Sequence, residues 1–195
     1  MFANLQGFPN PEGFKQTPAC IERQGSKTEK AYLHKTMKAA SLQEIKKELQ
    51  ELPPAQLLEL CLALAKYKKD NKEYLGYLLF DAHDKQTFTT AVKNIIDEQM
   101  ETLKMQPNLY YVKKSLRKLL RIVNKYCKYA GEKTLAAELH IYFCAQLKNS
   151  GIPYHKNKLI VNLYAGQLKK INSLIKSFHE DLQADYLGDL EKISE

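Results

Sequence analysis

Residues 108–130 hold seven basic side chains and no acidic one, and they sort by face when wound into a helix. At about 100° per residue, Leu109, Val112, Leu116, Leu119, Leu120, Val123, Tyr126, Cys127 and Ala130 fall within an arc of roughly 120°. Lys113, Lys114, Arg117, Lys118, Arg121, Lys125 and Lys128 stand on the opposite side, with Tyr111 and Tyr129 at one edge. The segment therefore reads as a helix with a core-facing side and a strongly cationic outer side. Asn108 is placed to cap it, and Gly131 stands where glycine commonly ends a helix.

The rest of the chain repeats this grammar. Ser41 with Glu44 three residues on forms a capping box before Leu42, Ile45 and Leu49. Pro53 and Pro54 close that helix near Glu51 and open the next, whose apolar positions are Leu57, Leu60, Cys61 and Leu64. A further helix is expected from a cap at Asp70 or Asn71 through Tyr74, Leu75, Leu78 and Leu79. After a polar connector at residues 81–87, Phe88, Val92, Ile95, Ile96, Met100 and Leu103 keep helical spacing up to Pro107. Leu135, Leu139, Tyr142, Phe143 and Leu147 mark the helix beyond Gly131. The run from Asn149 through Gly151 to Pro153 reads as a turn. A long helix is expected from Leu159 to Phe178, and a short acidic one carries Leu182, Tyr186, Leu187 and Leu190. No segment alternates with period two over strand length. Connections are short, so neighbouring helices should run antiparallel. The expected fold is all-α: a multi-helix antiparallel bundle, or a short stack of helical hairpins.

The first 25 residues are different. They hold Gly7, Pro9, Pro11, Gly13, Pro18 and Gly25, and their aromatic residues keep no period. Met37 stands just before the first convincing helix start. Residues 1–36 therefore read as an irregular arm or extension, and 37–195 as one all-helical domain, a size that buries a core without staples.

The run L-P-P-A-Q-L-L-E-L-C-L-A-L-A-K-Y-K-K-D-N-K-E-Y-L, residues 52–75, resembles the opening of a family of small, all-helical bacterial proteins of unknown function. Members share the leucine at the helix start, leucines at helical spacing, a basic patch and the K-E-Y-L ending, and the likeness covers residues 41–80. It implies an all-α fold and a cytoplasmic bacterial setting, and it implies no activity. The arm before Met37 departs from the family pattern.

Charge is distributed unevenly. Residues 102–179 hold 15 basic groups against Glu132 and Glu138, whereas residues 180–195 hold Lys192 against six acids. A basic middle attracts polyanions unless the acidic end docks on it and neutralises it. Cys20, Cys61, Cys127 and Cys144 form no C-x-x-C pair, and three of them lie on apolar stripes. That usage fits reduced, buried thiols in the cytoplasm. No secretory leader pattern and no apolar run of about 20 residues is present, so no membrane association is expected.

The chain lacks the patterns of nucleophilic catalysis and of phosphate-cradling loops. His140 and Cys144 lie one turn apart, which is two ligands where zinc needs three or four. Asp81, His83 and Asp84 read as a solvated connector, and His179 to Asp181 as a helix boundary. No catalytic residue, metal or cofactor is assigned, and the pattern is silent on oligomeric state. What remains is the cationic face of Lys113, Lys114, Arg117, Lys118, Arg121, Lys125 and Lys128 with Tyr111 and Tyr129. It suits an acidic protein partner, or a nucleic acid whose backbone the cations hold while a tyrosine stacks on a base.

Overall fold

Helical spacing, capping residues and glycine or proline stops recur along the chain, and the computed structural model forms helices where they do. It describes residues 39–194. The readings made for the arm and for Cys20 lie outside these residues. The described residues form α-helices joined by a π-helical turn, a 3-10 turn and short loops, with no strand among them. The chain divides into Met1–Pro53 and Pro54–Glu195, at the two prolines.

The first unit contributes α1 (Leu42–Glu51). Its start is the expected capping box: the Ser41 N–H donates to Glu44 Oε2 at 2.7 Å, and the Glu44 N–H donates to Ser41 Oγ at 3.3 Å. The second unit comprises α2 (Pro54–Tyr67), α3 (Lys69–Gly76), α4 (Lys85–Lys104), α5 (Leu109–Ala130), α6 (Lys133–Asn149), α7 (Lys158–Ile175) and α8 (Glu180–Ser194). Side chains set the ends of the long helices. Asp84 accepts from the Thr87 N–H to open α4, Asn108 accepts from the Tyr110 N–H to open α5, and Asn157 accepts from the Leu159 N–H to open α7. Gly131 ends α5 at φ 68°, a left-handed conformation that a Cβ disfavours.

Cross-links between helices establish their directions. Lys85 pairs with Glu132, Lys93 with Glu138 at 2.6 Å, and the Tyr142 hydroxyl donates to Asp97 at 2.7 Å. Residue numbers rise together along α4 and α6, so these two run parallel with α5 reversed between them. The Tyr164 hydroxyl at the start of α7 donates to the Ile193 carbonyl at the end of α8, so those two are antiparallel. The result is an up-and-down bundle in which α6 packs against α4, α5, α7 and α8. Leu139, Phe143 and Leu147 of α6 are fully buried against Ile96, Leu116, Leu119, Ile160 and Ile171.

Several expectations are corrected. Leu42, Ile45 and Leu49 were expected in the core, but no residue of α1 is buried and Leu42 is 85% exposed. Leu57, Leu60, Cys61 and Leu64 of α2 are not buried either. An apolar stripe becomes core only when another element covers it. Helix α3 starts at Lys69 with Lys68 at its cap position, two or three residues ahead of the expected Asp70 or Asn71, and the Asn71 side-chain amide donates to the Leu64 carbonyl at 2.9 Å, which satisfies the open end of α2. Residues Tyr77–Asp81 form a π turn, with the Ala82 N–H donating to the Tyr77 carbonyl at 2.9 Å. The extra residue shifts the helical phase. Tyr77 turns inward, while Leu78 and Leu79, expected inside, face solvent. Helix α7 stops at Ile175 rather than Phe178, and α8 starts at Glu180, so His179 to Asp181 is the helix boundary expected.

Candidate functional site

Helix α5 presents its apolar side to α4 and α6, with Val112, Leu116, Leu119, Leu120, Val123 and Cys127 buried. Its 3.6-residue period then forces the cations outward. Lys114, Arg117, Lys118, Arg121 and Lys128 are exposed and Lys113 is half-buried. Among the described residues none of these six has a carboxylate within 4.0 Å. The Arg121 Nε–H folds back onto the Arg117 carbonyl at 3.3 Å, which leaves its other guanidinium donors facing out.

Two residues assigned to this face are engaged elsewhere. Lys125 Nζ pairs with Glu73 of α3 at 2.5 Å, and this bond raises the lysine pKa and lowers that of the carboxyl. The Tyr129 hydroxyl donates to the Asp70 carbonyl at 3.1 Å, and its ring lies 5.2 Å from Tyr74 and 6.1 Å from Tyr126. Both hold α3 onto α5, so the C-terminal part of the face serves the fold.

The N-terminal part gains a residue that sequence reasoning passed over. Tyr110 is 60% exposed and Tyr111 54%. Their rings meet edge to face at 5.5 Å, and Lys113 Nζ lies 5.0 Å over the Tyr110 ring. Tyr110, Lys113, Lys114, Arg117 and Arg121 line one shallow groove of about 300 Å³. The signal was available, because residues 110, 114, 117 and 121 share one helical stripe. Tyr110 falls in the middle of the cationic arc, while Tyr111 and Tyr129 lie at its edge.

Further cations lie nearby. Lys170 of α7 donates to Asn124 of α5, so α7 adds a lysine beside the face. The acidic C-terminal helix does not neutralise it. Helix α8 packs on α6 and α7, Asp189 pairs with Lys192 at 2.8 Å, and Asp181 contacts His179 at 3.4 Å.

The residues considered for other chemistry are spread through the fold. His140 and Cys144 are both fully buried. Burial holds the His140 pKa down to about 4 and pushes the Cys144 thiol up to about 12 and the Cys127 thiol up to about 11, far from a reactive thiolate at neutral pH. Asp84 is committed to capping α4, while Asp81 and His83 are exposed. Among the described residues no three His, Cys, Asp or Glu side chains gather as metal ligands. No described helix is long and apolar enough to cross a membrane. Comparison with protein-family models, curated proteins and solved structures finds no match to this chain.

Proposed function

We propose that this chain is a non-catalytic scaffold or partner-binding protein that docks an acidic partner on the exposed face of α5. The observation that carries the reading is the run of Lys113, Lys114, Arg117, Lys118, Arg121 and Lys128 with no carboxylate partner among the described residues. Clustered like charges destabilise a helix, and an acidic ligand relieves that repulsion. The face carries no amide or hydroxyl group of Asn, Gln, Ser or Thr in its groove. Recognition there rests on charge, with the lysine and guanidinium N–H groups as donors to an acidic ligand.

A second reading rests on Tyr110 and Tyr111. Two exposed rings beside four cations offer bases a stacking platform while the backbone phosphates are neutralised, which suits single-stranded nucleic acid of any sequence. The setting we assign in either case is a bacterial cytoplasm. The resemblance of residues 52–75 and the free thiols of Cys61, Cys127 and Cys144 support it.

Fluorescence anisotropy with a labelled acidic peptide and with labelled single-stranded RNA, each at two salt concentrations, tests both readings. Salt-sensitive binding of the peptide that is abolished by Arg117→Glu with Arg121→Glu supports the first. Preferential RNA binding supports the second, and the double variant should then lower the log–log salt slope by more than roughly 1.4, about 0.7 per lost phosphate contact. No binding of either probe at low salt refutes both.

A further inference from the structure

Lys125 is the exception on the cationic side of α5. Among the described residues it alone of the seven is paired with a carboxylate, that of Glu73 on α3. It is also central to that side. Lys114, Arg117, Arg121, Lys125 and Lys128 follow one another at intervals of three, four, four and three, which is a single helical stripe. Glu73 therefore sits on the stripe between Arg121 and Lys128, where a carboxylate of an acidic ligand would sit.

The element that brings Glu73 there is lightly attached. No residue of α2 or α3 is buried. Helix α2 packs on α3, and α3 holds to α5 through Glu73 on Lys125, the Asp70 carbonyl accepting from the Tyr129 hydroxyl at 3.1 Å, and the Tyr74 ring 5.2 Å from Tyr129. The joint to the rest of the bundle is the π turn, where Tyr77 is buried with its ring centroid 4.7 Å from that of Phe88. Segments with few buried apolar contacts open locally at low cost. Glu73 is not stranded when it leaves Lys125, because Lys69 lies 3.6 Å from it within α3. Lys125 in turn has little room for a second carboxylate while α3 is seated. Its side chain is 29% exposed, and its ammonium lies 5.2 Å from the Tyr126 ring and 6.0 Å from the Tyr129 ring. The hold of α3 and the hold of an acidic ligand thus draw on the same group.

We propose that the α2–α3 hairpin is an autoinhibitory latch on the basic face of α5, in which Glu73 stands in for the acidic partner and is displaced by a partner that reaches Lys125. The proposal rests on reading α5 as the docking surface for an acidic partner, and it adds the regulation of that surface. With the latch closed, the unpaired stripe runs from Lys114 to Arg121, about 10 Å at the helical rise; with it open, the stripe reaches Lys128, about 21 Å. A short acidic segment binds without disturbing the hairpin, and a longer one releases it. Because the two contacts exclude each other, opening the hairpin strengthens binding by the same factor as binding favours opening.

The test is hydrogen–deuterium exchange of the full chain with and without an oligoglutamate long enough to span the whole stripe, with anisotropy titrations of the same labelled peptide. Saturating oligoglutamate should speed amide exchange in α2 and α3 while the amides of α6 keep their protection. Glu73→Gln removes the carboxylate and should tighten oligoglutamate binding by roughly two- to fivefold, the range of a partly exposed ion pair. Lys125→Gln frees the hairpin equally and should bring no such gain. Asp70→Asn removes a charge that faces Lys68 instead, and as the control for net charge it should leave affinity unchanged. None of the three positions is buried, and circular dichroism verifies the fold of each variant. Unchanged affinity in Glu73→Gln, an equal gain in Lys125→Gln or Asp70→Asn, or α3 exchange that oligoglutamate fails to speed overturns the latch and leaves the reading of α5 standing. Absence of oligoglutamate binding to both the wild-type chain and Glu73→Gln at low salt overturns that reading and the latch with it.

Discussion

His140 sits on the central helix with no solvent access, and neither ring nitrogen has a hydrogen-bond partner. Its polar neighbour Gln167 falls short of hydrogen-bond geometry, and Gln167 Oε1 is itself buried and unpartnered. Desolvation dominates, Lys170 adds repulsion, and the imidazole is held neutral down to about pH 4. Folding therefore excludes a proton that the unfolded chain takes up below about pH 6.5. Stability is full above that value and falls by about 1.4 kcal/mol per pH unit as pH drops toward 4. Urea titrations at several pH values should show this slope, and His140→Leu should flatten it. The paired or capping carboxyls Glu73 and Asp84 have lowered pKa values, so their contributions fade only below the ordinary carboxylate range. A second residue-scale outcome concerns Gly131 at φ 68°. Gly131→Ala meets open space but strains the backbone, and should cost about 1 kcal/mol in chemical denaturation.

Helix α5 carries cations at i,i+4 spacing, 113 with 117, 114 with 118 and 117 with 121, and at i,i+3 spacing, 114 with 117 and 118 with 121. Each like-charge pair destabilises the helix by roughly 0.2–0.5 kcal/mol. Arg117→Glu turns the repulsions with Lys113, Lys114 and Arg121 into attractions. Thermal unfolding of this variant should show the fold stabilised by about 0.5–1 kcal/mol, while the anisotropy assay shows binding lost. A variant that loses binding and stability together would mean that Arg117 serves packing. Helix ends were legible at this scale because caps act locally. Ser41 with Glu44, Asn108 and Gly131 all act where the sequence placed them, while the Asn157 cap of α7 came only from the structure. The π turn at Tyr77–Asp81 was not legible, since inserting one residue into a helical turn leaves no compositional mark.

Across the whole molecule, two leucines, each within a largely apolar helix, have different roles. Leu139 is fully buried at the centre of the bundle, whereas Leu58 faces solvent. Leu139→Ala should cost about 2–5 kcal/mol and Leu58→Ala under about 0.5 kcal/mol, as measured by denaturant unfolding. By itself the sequence determined the helical class, most helix termini, the buried side of α5 and the outward turn of its cations, because periodicity and capping act within four residues of chain. Only the tertiary structure decided which apolar stripes are covered, that Lys125 and Tyr129 bind α3, that α8 packs on α6 and α7 instead of neutralising α5, and that Tyr110 joins the groove. These outcomes depend on contacts between residues tens of positions apart, which no local pattern encodes.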